Sequence, residues 1–154
     1  MSNAGEVMQK YAPLAARILL AQLFIISGIG KIASFAETQT FMAGMGLPLP
    51  RVLLLLTIAL EVGGGVLLVF GWQARRVAAA FFGFTLLTAV IFHAFWSSSA
   101  AAVFGQLNNF MKNLAIMGGM LYVVVHGAGP LSLDSRRIAA NAAPAVVPKR
   151  KHKK

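Results

Sequence analysis

The chain has 154 residues, 58% of them hydrophobic and 12% charged, with a mean hydropathy of +0.73; a soluble domain carries about a quarter charged residues, so lipid is the expected solvent. Its 14 Lys and Arg stand against 4 Asp and Glu, yet 7 of those cations lie beyond Asp134, so the basicity belongs to a tail and implies no nucleic-acid partner. The absence of Cys excludes a disulfide, a thiolate nucleophile and a dithiol relay, and His93, His126 and His152 fall near one membrane face, near the other and in the tail, so no metal site is expected.

About 20 consecutive apolar residues are needed for a helix to cross roughly 30 Å of hydrocarbon. Four segments approach that length, at about 14–33, 52–70, 77–95 and 107–125. The first has a rival account as a signal-peptide core over 18–29 with Ser34-Phe35-Ala36 as a cleavage site, and Lys31 between core and cut argues against it. The stretch 35–50, rich in Gly and Pro, is expected to be a connector.

In the second segment Glu61 stands midway, at a depth where an ionisable group costs a few kcal/mol or more unless it is paired or hydrated. Leu54, Ile58, Glu61, Gly65 and Leu68 form one helical stripe, expected to face the bundle. Glu61 is either a tether between helices or a proton or ligand site. Lys112 and Asn113 are its expected partners, with Arg17 as second choice.

A polar turn at 71–76 leads into the third segment, whose Phe81, Phe82, Phe84, Phe92 and Phe95 read as core or lipid-facing. The fourth begins with Asn108, Asn109, Lys112 and Asn113 and is the least apolar. Gly28, Gly30, Gly63, Gly64, Gly65, Gly118 and Gly119 read as sites of close helix packing. In the outward half, Lys31, His93, Trp96, Asn109, Lys112 and Asn113 come to one depth from three helices. Such a set suits an anionic or carbonyl-bearing head group with its tail in the bundle; snorkelling lysines and an aromatic belt at Trp96 are the plainer account. Residues 128–154, with Pro130, Pro144, Pro148 and a terminal run of cations, read as a mostly disordered tail. It would be drawn to anionic lipids by about 1 kcal/mol per cation, or it is a solvated tail that only fixes the topology.

Several elements together resemble one family: Arg17 to Lys31 with Phe24, Ser27-Gly28 and Lys31; Glu61-Val62-Gly63-Gly64 followed by Gly71; His93-Ala94-Phe95-Trp96; Met111-Lys112-Asn113-Leu114; and Gly129-Pro130-Leu131-Ser132-Leu133-Asp134. Over about residues 13–134 the chain is similar to the DoxX family of bacterial inner-membrane proteins. The resemblance implies an all-α, four-helix transmembrane domain over 1–134 and a cytoplasmic basic tail over 135–154. It also implies an accessory subunit that binds a hydrophobic ligand such as a quinone and is linked to membrane redox or oxidative-stress processes. With no catalytic constellation visible, any electron transfer would need a quinone, a flavin or a redox partner protein. Two other functions stay open: a structural membrane adaptor, and a small transporter or proton path built as a homo-oligomer around Glu61 and His93.

Orientation follows from the cations of the short flanks, which stay on the cytoplasmic side. With both termini inside, 11 of the 14 Lys and Arg lie in the cytoplasm and only Lys31, Arg51 and Lys112 lie outside. A reporter fused after Lys154 should therefore be active only as a cytoplasmic reporter, and fusions near Met45 and Ser99 only as exported ones. An exported C-terminus would overturn the orientation.

Overall fold

Apolar segments bounded by turns that contain Gly or Pro fold as long helices in up-and-down order. The computed structural model describes residues 3–142, which form α1 (Asn3–Ala33), α2 (Phe35–Gly44), α3 (Pro50–Phe70), α4 (Ala74–Phe92), α5 (Val103–His126) and α6 (Leu133–Ala142). Among the described residues there is no strand. α1, α3 and the stretch Ala74–Ser97 are each long and apolar enough to cross a membrane. α5, at 24 residues, spans about 36 Å at 1.5 Å per residue, and its Gln, Asn and Lys residues lie in its first half. The architecture is an all-α membrane bundle.

Two segments depart from expectation. The stretch after α1 is a helix, α2, because residues 35–44 contain no Pro; Gly46, in the left-handed region at φ +74°, and then Pro48 and Pro50 end it. The segment from 128 onward was expected to be irregular, yet residues 133–142 form α6. Its first turn is capped by Ser132, whose Oγ accepts a hydrogen bond from the Ser135 amide at 3.1 Å. The rest of the expected tail, with Pro144, Pro148 and the terminal cations, lies outside the described residues.

Neighbouring helices run antiparallel. Gly28 lies against Glu61 and Val62, and Gly65 lies against Ile25 and Ala21, so α1 descends as α3 rises. A Cβ at Gly28 would come within 2.7 Å of Val62, and one at Gly65 within 2.5 Å of Ile25. The missing side chains are what let these two backbones approach. Gly119 likewise admits Leu20, whereas Gly30, Gly63 and Gly118 have open space and pack against nothing among the described residues. The core is built from Ala21, Phe24, Leu68, Val77, Phe81 and Met120 with their neighbours. Within it Phe24 and Phe81 stack with centroids 3.9 Å apart.

One end of the bundle is locked by polar groups. Arg17, 1% exposed, donates to the carbonyls of Leu68 (3.2 Å) and Val69 (3.0 Å) at the end of α3 and to that of Leu131 (2.5 Å) before α6. The last-turn carbonyls of Leu68 and Val69 lack their usual helical N–H partners, that of Leu68 being shared with the Gly71 amide at 3.1 Å, and a cation at a helix C-terminus also complements its dipole. Asp134 does the converse for α4, its carboxylate accepting from the amides of Gln73 (2.8 Å) and Ala74 (2.9 Å). The Asp134 amide donates to the Gly71 carbonyl at 3.0 Å. Gly71 sits at the centre of this arrangement at φ +66°, and a Cβ there would run into the Arg17 guanidinium and come within 2.5 Å of Ser132.

Gly71→Ala should therefore cost at least about 2 kcal/mol, through left-handed strain and displacement of Arg17. Gly118→Ala, facing open space in ordinary helix, should be neutral or slightly stabilising. Thermal unfolding of the two variants in detergent checks this, and equal stabilities would remove Gly71 from its proposed role.

Candidate functional site

Glu61 is 3% exposed in a helix with no other acid near it, so the fold must supply its partner. Midway along α3 the helix widens into a π turn at Ala59–Gly64, which contains Glu61. Such turns are rare and gather at functional sites. Leu54, Gly65 and Leu68 of the expected stripe are buried with Glu61, Ile58 is half-buried and Gly64 joins the buried face. Against Gly64 lies the ring of Phe81, with Cζ 3.0 Å from where a Cβ would stand.

The partner is Lys31, not Lys112 or Asn113. Lys31 Nζ lies 3.0 Å from Glu61 Oε1 and 2.9 Å from Oε2. It also donates to Ser27 Oγ at 2.6 Å, and Ser27 in turn donates to Oε1 at 3.2 Å. Ser27 and Lys31, four residues apart on one face of α1, thus bracket the carboxylate. The close approach of α1 and α3 at Gly28 brings them there, and the flexible lysine stem leans inward from the helix end. Lys112 is exposed on α5 and is not among the partners of Glu61, which are Lys31 and Ser27.

The pair forms part of the wall of a cavity of about 340 Å³ between the helices. α1 contributes Leu23, Phe24, Ser27 and Lys31, α3 Thr57 and Glu61, α4 Phe84, Thr85, Thr88 and Phe92, and α5 Asn113 and Ile116. α2 covers it with Thr38, Phe41 and Met42, at the spacing of one helical face. Phe41 of α2 stacks on Phe92 of α4 at 5.9 Å. His93, which caps the end of α4, also lines the cavity and its Nδ1 is 2.9 Å from Gln106 Oε1.

The expected outward cluster is thus divided. Lys31, Glu61, His93 and Asn113 come together around the cavity. Asn109 and Lys112 are exposed, and Trp96, 58% exposed, joins an edge-to-face aromatic group with Phe95 and Phe110 at 5.1 and 5.8 Å. Arg17 belongs to the opposite end and makes no contact with Glu61. Ser27, Thr38, Thr57, Thr85 and Thr88 were not singled out for a site. The spacing of Ser27 and Lys31 was a usable signal; hydroxyls scattered over three other helices carry none. Phe84 and Phe92, read as core or lipid-facing, line the cavity.

A model of the DoxX family matches residues 12–94. The inner membrane protein YqjF of Escherichia coli (strain K12) is 44% identical over 121 residues, covering 79% of this chain and 88% of that protein. The inner membrane protein YphA of the same organism is 38% identical over 123 residues, covering 80% of this chain and 88% of that one. A Surfeit locus protein 4 homolog of Schizosaccharomyces pombe is 28% identical over 129 residues, 82% of this chain but 38% of its own length. No solved structure gives a significant match.

The geometry makes Lys31 and Glu61 energetically coupled. Lys31→Met should destabilise the protein by about 2–4 kcal/mol, since it leaves the more buried group unpaired, and Glu61→Gln by somewhat less. The double variant should lose at least about 1 kcal/mol less than the sum, while Lys112→Met should add independently. Thermal unfolding of the four proteins in detergent is the check, and strictly additive losses for Lys31 and Glu61 would contradict the pairing.

Proposed function

The chain belongs to the DoxX family, and on that premise we propose that it is an inner-membrane protein that holds a hydrophobic small molecule in the cavity beside Lys31 and Glu61. One observation carries this: about 340 Å³ of cavity, mostly apolar but with an ion pair, a histidine and an amide converging on it. That combination of apolar walls and a few placed polar groups is the usual make-up of a small-molecule site. A pair serving only to tether two helices would have no need of a space beside it. The E. coli relatives bear the name inner membrane protein, which supports that location here.

A quinone, whose reduced form carries hydroxyls, belongs to the class of ligand that fits. Within this reading the chain is an accessory subunit, and electrons would pass through the ligand or a redox partner protein, because its side chains supply no thiol. The proposed site residues are Lys31, Glu61, His93 and Asn113, with Ser27 and Thr85 beside them. A structural adaptor is the competing function, and it predicts an empty cavity.

Purification from native membranes in mild detergent, followed by mass spectrometry of what co-purifies, separates the two. A hydrophobic small molecule should accompany the wild-type protein at near-stoichiometric amounts. It should be lost from Thr57→Phe, which places a ring in the cavity while leaving the ion pair intact. Bulk phospholipid alone, in equal amounts from both proteins, would favour the adaptor.

A further inference from the structure

Taking the cavity as a ligand site, we infer that it selects a neutral amphiphile with a hydroxyl-bearing head rather than an anion. Among the described residues Lys31 is the single Lys or Arg that lines the cavity. Its ammonium is already paired: the two oxygens of Glu61 lie 3.0 and 2.9 Å away on one side of Nζ, and Ser27 Oγ accepts a further N–H at 2.6 Å. The Ser27 hydroxyl proton is likewise directed at Glu61 Oε1. The lysine charge is therefore answered within the fold. Lys112, the other cation expected here, does not line the cavity.

What the walls still offer includes acceptor capacity. A carboxylate has about four lone-pair sites, and Glu61 accepts three hydrogen bonds. The Asn113 amide, which also lines the cavity, can donate or accept. An anionic head would face a carboxylate with no free cation among the described residues to balance it. A hydroxyl would donate to Glu61 and accept from Asn113, with its apolar part against Leu23, Phe84 and Ile116. The ion pair thus makes the site selective through Glu61, and removing that carboxylate converts it into an anion site by releasing Lys31.

Binding of para-decylphenol, para-decylanisole and para-decylbenzoate to the full-length protein in a neutral detergent tests this at pH 7, where the phenol is uncharged. The wild-type protein should bind the phenol about tenfold more tightly than either the methyl ether or the benzoate, the value of one hydrogen bond to a charged group. Glu61→Gln should reverse the order and bind the benzoate best. The double variant Lys31→Met with Glu61→Gln, which carries neither charge, should bind all three to within a few-fold and guards against instability of the single variant. Tighter binding of the benzoate by the wild-type protein, or an unchanged order in Glu61→Gln, would overturn the inference and leave the cavity a ligand site. No binding of any of the three to folded wild-type protein would overturn the proposed function itself, and this inference with it.

Discussion

A carboxylate placed in the middle of an apolar helix has no water to turn to, and hydrocarbon offers it neither counter-charge nor hydrogen bond. Glu61 imposes that constraint on everything around it. The ion pair with Lys31 requires α1 and α3 to lie close, and that closeness requires Gly28 and Gly65, because a Cβ at either would meet Val62 or Ile25. It also coincides with the π turn at Ala59–Gly64, where the helix carrying Glu61 widens against its neighbours. The polar centre and the small-residue contact are two sides of one solution: the glycines bring the lysine within reach, and the pair holds the helices in that register.

The opposite end of the bundle meets the same constraint with backbone groups in place of side-chain charges. Arg17 collects carbonyls from the end of α3 and from the segment before α6. Asp134 collects amides from the start of α4. Each charge is placed where helix ends leave backbone groups without partners, so burial of polar side chains and completion of the helix ends are achieved together. The network ties the first turn of α6 to the turn before α4 through Asp134, while α6 itself buries no residue.

Between these two ends the helices do not close completely. The space beside Lys31 and Glu61 is bounded by α1, α3, α4 and α5 and covered by α2. Its apolar walls suit the body of a hydrophobic molecule, with a few polar groups set among them. The lysine does not mark the site as an anion receptor, because its charge is matched before any ligand arrives. Chemical selectivity here depends on which lone pairs and protons remain after the protein has satisfied itself.

The membrane class and the helical architecture were legible in the residues, since hydropathy over about 20 residues and a mid-span acid are properties of composition along one helix; the family was legible as a resemblance of several motifs in order. Glu61 declared itself by depth alone. Its partner did not: Lys31 sits close to the end of its helix, and counting rise per residue from the span ends pointed instead to Lys112. Only the tertiary structure shows that α1 and α3 touch at Gly28, and that a long flexible side chain leans inward across that contact. The same holds for the helix over 35–44, whose mixed composition has no clear period, and for Asp134, whose role depends on an amide pair 60 residues away in sequence. A residue's own environment along its helix determines that it must be satisfied. Which group satisfies it is decided by packing between helices, and no pattern along a single helix records that.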